Sequence, residues 1–272
     1  LSSDHNQLRQ ALVQRRGETY GTPVVIEGLR TRSLQFDAFG IQSKMHKSDP
    51  VKLELSYTRA MMTFQLFHPD PRNIQIVGLG GGSLSKYCFH KFPSARVTTV
   101  EVDERVIALR DRFAIPPDSE RFRIVHADAM DYFQEKVGIA DVILLDGYDA
   151  FGLPAGLSSQ YFYDCCHTAL RNSGVLVANL LNSDPQLPLC LERIRRVCDG
   201  KLFRTVARRE GNTIAIGIKQ ANAPRWHELY ARAEGVTRST GLDLYRYVKK
   251  MERYHRVESA STDPSSFSLA IK

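Results

Sequence analysis

Residues 73–82 read Asn73-Ile74-Gln75-Ile76-Val77-Gly78-Leu79-Gly80-Gly81-Gly82. The run 74–77 is short, apolar and rich in β-branched residues, which suits a buried strand better than a helix. Four glycines then fall within five positions, and Ser83-Leu84-Ser85-Lys86 opens a helical pattern. Glycine lets a chain turn tightly and bring its backbone close to a ligand, while the first turn of the following helix offers unpaired N–H groups. A strand, a glycine turn and a helix in this order predict the first βα unit of a parallel sheet, with Gly78, Gly80, Gly82 and Ser83 as candidate cofactor contacts. The strict dinucleotide fingerprint has a further glycine where Ser83 stands, and a tight turn without a ligand is the simpler alternative.

The pattern repeats outward from this point. Residues 95–102 read as a second strand, 104–112 as a helix, 121–126 as a third strand, 130–136 as a helix and 141–145 as a fourth strand. A helix over 161–170 precedes a fifth strand at 174–180. Strands alternating with helices, several of them apolar throughout, require a mostly parallel sheet covered on both faces. Residues 202–208 and 213–218, joined by Glu210-Gly211-Asn212, read instead as a hairpin. An antiparallel pair closing a parallel sheet marks the Rossmann-like class I S-adenosylmethionine-dependent methyltransferase fold and disfavours a nicotinamide dehydrogenase. Before the core, 6–16 reads as an amphipathic helix, 22–27 and 31–36 as strands and 53–67 as a helix. Helical segments and a Ser-rich tail follow Pro224. The expected organisation is a β-rich lid region at 1–70, a catalytic domain at 71–220 and a helical appendage at 221–272.

Composition narrows the class. With 43% hydrophobic and 25% charged residues the chain is ordinary for a globular domain, and no apolar run is long enough to span a bilayer. The opening residues Leu1-Ser2-Ser3-Asp4-His5 lack the basic start and apolar run of a secretory signal. The net charge is +7, yet Lys and Arg are dispersed in groups such as Arg193/Arg195/Arg196 and Arg208/Arg209, without interleaved aromatic residues. No nucleic-acid groove and no membrane partner are expected. The five cysteines have no zinc-type spacing and fit reduced thiols in a cytoplasmic protein. The histidines are not spaced as metal ligands either, so no metal is expected.

Carboxylates recur at the ends of successive strands. Glu101 ends the second, about twenty residues after the glycines, where an acid accepts both hydroxyls of a ribose or, with Asp103 and Glu104, caps the next helix. Asp128 ends the third; it suits an adenine amino group or the N-cap of the next helix. Asp146 follows the fourth, and Asp149 comes three residues later. A carboxylate there, raised in pKa by burial, would deprotonate an attacking nucleophile; a loop acid supporting the turn beside Gly147 is the alternative.

These residues resemble the spermidine synthase family, the aminopropyltransferases, from about residue 34 to 218. The family's glycine-rich turn, Val-Glu-x-Asp, Gly-Asp-Ala and Asp-x-x-Asp appear in order as Gly80-Gly81-Gly82-Ser83, Val100-Glu101-Val102-Asp103, Ala127-Asp128-Ala129 and Asp146-Gly147-Tyr148-Asp149. Gly152-Leu153-Pro154-Ala155 and Gln160-Tyr161-Phe162-Tyr163 continue the match. The resemblance implies a homodimer that moves an aminopropyl group from decarboxylated S-adenosylmethionine to a small amine such as putrescine, in polyamine biosynthesis. Carried over, Glu101 holds the ribose, Asp128 with Ala129 the adenine, and Gln42 sits at a further cofactor position. Tyr57 and Tyr148 meet the acceptor, Asp146 is the base and Asp149 holds the distal ammonium.

Three positions depart from the pattern. Ser83 replaces an Asp that contacts the aminopropyl ammonium, Thr58-Arg59 replaces a His-Glu pair, and the loop at 146–150 reads Asp-Gly-Tyr-Asp-Ala. Without an acid at 83 the site loses a charge that would repel the carboxylate of intact S-adenosylmethionine, and Arg59, if it faced the pocket, would oppose a cationic acceptor. A methyltransferase using intact S-adenosylmethionine therefore stands as the alternative, followed by a non-catalytic nucleoside-binding module.

Overall fold

The computed structural model describes residues 21–36, 41–148, 152–207 and 211–261. The expected helix over 6–16, Asp149, Arg208/Arg209, part of the hairpin turn and the tail beyond 261 lie outside the described residues.

The core is a seven-stranded sheet in the order β6-β5-β4-β7-β8-β10-β9. Its strands are β4 (Asn73–Val77), β5 (Arg96–Glu101), β6 (Phe122–His126), β7 (Ala140–Leu145), β8 (Leu170–Leu181), β9 (Leu202–Ala207) and β10 (Asn212–Ile218). Strands β6, β5, β4, β7 and β8 pair in parallel, and β10 runs antiparallel to both β8 and β9. Strand β10 is thus the one reversed strand of this sheet, as the hairpin at 202–218 required. The chain leaves β4 toward β5 and returns on its other side as β7. That reversal opens a crevice beyond the carboxyl ends of β4 and β7, the place where open α/β sheets bind ligands.

Alternation along each strand explains why the central ones are apolar throughout. Ile74, Ile76, Val142, Leu144, Val175 and Val177 belong to one core cluster. Val77, Ile143, Leu145, Leu176, Ala178 and Leu180 belong to the other. The first face is covered by α1 (Ser56–Met61), the 3₁₀ turn Met62–Leu66, α2 (Ser83–Lys91), α8 (Trp226–Thr240) and α9 (Tyr245–Ser261). The second is covered by α4 (Ala129–Phe133), α6 (Gln160–Ala169) and α7 (Leu187–Val197), with α5 (Ala155–Ser158) beside them. Helix α3 (Glu104–Ile107) follows β5 at the rim. All five cysteines are free and buried in these layers.

A separate antiparallel sheet, β1 (Val24–Glu27), β2 (Thr31–Gln35) and β3 (Ser43–His46), precedes the core. Strand β3 was not foreseen, although Ser43 and Met45 point inward while Lys44 and His46 are half-exposed, the alternation of a one-sided strand. Helix α7 was also missed. Its Leu187, Leu191 and Ile194 recur at helical spacing, and Pro188 sits in its first turn, where a missing N–H does no harm. Two expected helices are shorter than read: 53–67 divides into α1 and a 3₁₀ turn, and 104–112 into α3 and the 3₁₀ turn Asp111–Phe113.

The segment after Pro224 packs on β9 and on the 3₁₀ turn Met62–Leu66. Tyr247 donates to the Ser56 carbonyl at 3.1 Å and Arg232 to the Leu66 carbonyl at 2.6 Å, so the C-terminal helices hold the ends of α1 and its 3₁₀ extension. At the opposite end of the sheet the buried Asp141 carboxylate accepts from the backbone N–H groups of Arg72 and Asn73, each at 2.8 Å, and pairs with Arg171. This ties the entry of β4 to β7. Asp141→Ala strands two amides and is expected to lower stability by about 2–4 kcal/mol, measured by urea unfolding; a loss within about 0.5 kcal/mol would show that water replaces the carboxylate freely.

Candidate active site

The glycine turn has the geometry that its composition implied. Gly78, Gly80 and Gly82 have φ of 91°, 51° and 67°, a left-handed region that other residues enter at a penalty. A Cβ on Gly78 would lie 2.3 Å from the Asp146 carbonyl oxygen, so the ends of β4 and β7 touch through backbone alone. A Cβ on Gly81 would meet the Ser43 hydroxyl at 2.7 Å and the Phe113 ring at 2.8 Å. Those two residues wedge the turn from opposite elements. Phe113 is held in turn by Lys86, a buried side chain whose Nζ donates to the Phe113 carbonyl at 2.6 Å. Strand β3 also reaches Ser83: the Ser43 and Ser83 hydroxyls share a hydrogen bond of 3.2 Å. The N-terminal sheet is thus seated on the glycine turn, and Glu27 links it to the 111–113 segment through an ion pair with Arg112.

Glu101 stands beside this turn at the end of β5. One carboxylate oxygen accepts from Leu79 N at 2.8 Å and the other from Asp103 N at 2.9 Å. Both oxygens are oriented by backbone and keep acceptor capacity. Asp128, at the end of β6, is exposed and caps α4 by accepting from Met130 N at 2.7 Å. Ala129, next to it, is buried.

Asp146 completes the row. Burial pushes its pKa up to about 7, against hydrogen bonds from Asn179 and Tyr57 that lower it. Asn179 Nδ2 donates to Asp146 Oδ1 at 2.7 Å, and Asn212 Nδ2 donates to Asn179 Oδ1 at 2.8 Å. These amides form a buried relay from β10 through β8 to the acid. The Tyr57 hydroxyl donates to the Gln42 carbonyl at 3.1 Å and also neighbours Asp146. One hydroxyl proton cannot serve both acceptors. Protonated Asp146 can donate to Tyr57; ionised Asp146 competes with Gln42 for the tyrosine proton.

The structure therefore gathers Gln42, Tyr57, Ser83, Glu101 and Asp146 around the crevice and leaves Asp128 at its rim. Tyr148 is engaged differently: its hydroxyl accepts from Leu181 N at 2.9 Å, and burial raises its pKa. Arg59 is turned to its own segment, donating to the Leu53 carbonyl at 2.5 Å and the Glu54 carbonyl at 2.8 Å. Ser43, Asn179 and Asn212 were missed. The signal for Asn179 was a lone amide inside the apolar run Val177-Ala178-Asn179-Leu180; Ser43 carried none.

A glycine turn, an acid at the end of the next strand and a desolvated carboxylate after the fourth thus stand together at the carboxyl ends of a methyltransferase-type sheet. The spermine/spermidine synthase domain family matches residues 54–190. A polyamine aminopropyltransferase of Chromobacterium violaceum is 34% identical over 224 residues, covering 82% of this chain and 86% of that one. The chain belongs to the spermine/spermidine synthase family. The solved structure of a probable spermidine synthase from Corynebacterium glutamicum superposes with a TM-score of 0.67 at 20% identity, covering 78% of this chain and 84% of that one. Human methyltransferase-like protein 13 in complex with SAH gives 0.55 at 21%, covering 74% and 92%. Both share the fold.

The amide relay is expected to set the acidity of Asp146. Removing a donor to the ionised form in Asn179→Ala raises its pKa above 7, by about 1 pH unit. Carboxyl-carbon NMR titration reads this directly, and an unmoved titration would remove Asn179 from that role.

Proposed function

We propose that this chain transfers an aminopropyl group from decarboxylated S-adenosylmethionine to a small amine such as putrescine, with Asp146 as the base. The observation that carries the reading is a carboxylate with a pKa near 7, set where β4 and β7 meet and beside the glycine turn. The family membership and the relative's name favour aminopropyl over methyl transfer. In this reading Glu101 accepts the ribose hydroxyls, Gly78, Gly80, Gly82 and Ser83 bring backbone to the nucleoside, and Asp128, Ala129 and Gln42 border its base. Tyr57 and Tyr148 line the acceptor side, and Asp149 takes the distal ammonium. Asp146 removes a proton from the acceptor nitrogen. The nitrogen then bonds to the carbon next to the sulfonium, the C–S bond breaks, and methylthioadenosine leaves with the electron pair on sulfur. Alignment of the two substrates supplies much of the rate.

The reading extends to organisation. We assign residues 1–70 to a lid, 71–220 to catalysis and 221–272 to a buttress, in a cytoplasmic homodimer. Val24 and Ile26, exposed on one face of edge strand β1, suit a subunit contact, and free buried thiols suit a reducing compartment. No described helix is long and apolar enough to cross a membrane. Sedimentation as a monomer at micromolar concentration would overturn the dimer, and recovery in a secreted or membrane fraction would overturn the compartment.

Two variants test the chemistry. Asp146→Asn is expected to lower kcat by about 10²–10⁴-fold while leaving methylthioadenosine binding nearly intact. In the parent, kcat/KM rises with pH through about 7, because Asp146 must be ionised to accept a proton. Stability runs the other way. The folded state holds this proton more tightly than the unfolded state, whose ordinary value is 3.8, so the contribution is full below that pH and lost as pH rises through 7. Asp146→Asn therefore gains stability over the parent at pH 8, on the order of 2 kcal/mol after screening. Unchanged turnover in the variant would take Asp146 out of the mechanism.

The second variant is Ser83→Asp. It is expected to shift calorimetric preference about 10-fold toward the decarboxylated donor over intact S-adenosylmethionine, through repulsion of the carboxylate. An unchanged affinity ratio would reject this role for position 83.

A further inference from the structure

At the opposite pole of the sheet, where β4, β5 and β6 begin, lies an open cleft of about 580 Å³. Its floor is one row of paired residues across three strands, Gln75, Thr98 and Arg123. That row lies on the sheet face covered elsewhere by α4, α6 and α7, but α4 ends at Phe133 and leaves the strand starts open. A parallel sheet ordinarily presents apolar residues to a covering helix. Here the floor is polar, with Gln75 and Thr98 buried and Arg123 exposed, and its groups are already oriented. Arg123 Nε donates to Thr98 Oγ1 at 3.3 Å, and Tyr132, on one wall, donates to Gln75 Oε1 at 3.0 Å.

Five cations line this cleft, Arg96, Arg121, Arg123, Lys136 and Arg171, against one carboxylate, Glu120. Arg171 is paired with Asp141. Among the described residues no ion pair holds Arg96, Arg121, Arg123 or Lys136. Arg121 donates to the Ala95 carbonyl at 3.2 Å and stacks on Phe89, and Lys136 lies over the Tyr132 ring, contacts that leave their charges uncompensated. Cations without a carboxylate partner around one concave space repel each other, and an anion relieves that repulsion. Guanidinium forks match phosphate oxygens in pairs. The volume falls in the range of small-molecule sites, roughly 300–1,000 Å³, and too little aromatic surface is present to stack a nucleic-acid strand. A polyamine, being cationic, is excluded by charge.

We propose that this cleft is a second binding site, for a small anion carrying two or more phosphoryl groups. The test is calorimetry on the full chain with tripolyphosphate, ATP, inorganic phosphate and adenosine. Saturable binding of tripolyphosphate and ATP is expected, at least about 10-fold tighter than inorganic phosphate, with none for adenosine and a steep fall with added salt. Arg123→Gln with Lys136→Gln should weaken it at least about 10-fold while leaving methylthioadenosine affinity unchanged; Arg96→Gln, at an exposed lining residue, serves as an independent variant. The proposal is overturned if the polyphosphates do not saturate or if neither variant changes their affinity. Displacement by methylthioadenosine would place them in the nucleoside crevice and overturn it too, as would affinity that grows with oligonucleotide length beyond the cleft. These readouts do not depend on aminopropyl transfer, so the two readings fail separately.

Discussion

Gly78 sits where no side chain fits, because the backbone of Asp146 already occupies the space that a Cβ would take. This contact between the ends of β4 and β7 determines the rest of the site. It forces the chain into a left-handed turn after β4, and that turn brings unpaired N–H groups and the start of α2 to the crevice. It also carries Asp146 directly beneath the turn. The glycine turn and the acid are thus fixed relative to one another by backbone packing, which is stiffer than any arrangement of long side chains.

The same closeness explains the acid's chemistry. A carboxylate set against two strand ends is poorly solvated, and desolvation favours its neutral form. The Asn212–Asn179 relay and Tyr57 oppose that preference with hydrogen bonds. The outcome is a carboxylate whose pKa lies near 7, and this is the property the proposed role as a base would use. Tyr57 reaches this position because α1 is held from behind: Tyr247 on α9 binds the carbonyl of the residue before it. The C-terminal helices therefore act on the site through α1 rather than by closing over it.

Charge is divided between the poles of the sheet. The carboxyl ends of the strands present the acids Glu101, Asp128 and Asp146. The amino ends gather Arg96, Arg121, Arg123 and Lys136 around a polar floor. In the sequence Arg96, the Arg121/Arg123 pair and Lys136 are separated by stretches of ordinary composition and look like solvated faces. Parallel strands bring them together, since every strand of such a sheet begins at the same pole.

The sequence by itself determined the fold class of the core, because strand–helix alternation, buried apolar runs and the 202–218 hairpin point to a mostly parallel sheet closed by an antiparallel pair; the strand order, β3 and α7 came from the structure. It also indicated Glu101, Asp128 and Asp146, since a parallel sheet aligns its strand ends and an acid following a strand has a known address. Tertiary structure alone decided what depends on contacts between distant segments. Ser43 meets Ser83 only because β3 docks on the glycine turn, and Asn179 meets Asp146 only because β8 lies beside β7. Arg59 turns to its own carbonyls rather than the pocket, and Tyr148 is taken up by Leu181 N. Such choices turn on side-chain geometry between segments many residues apart, and local pattern carries no record of it.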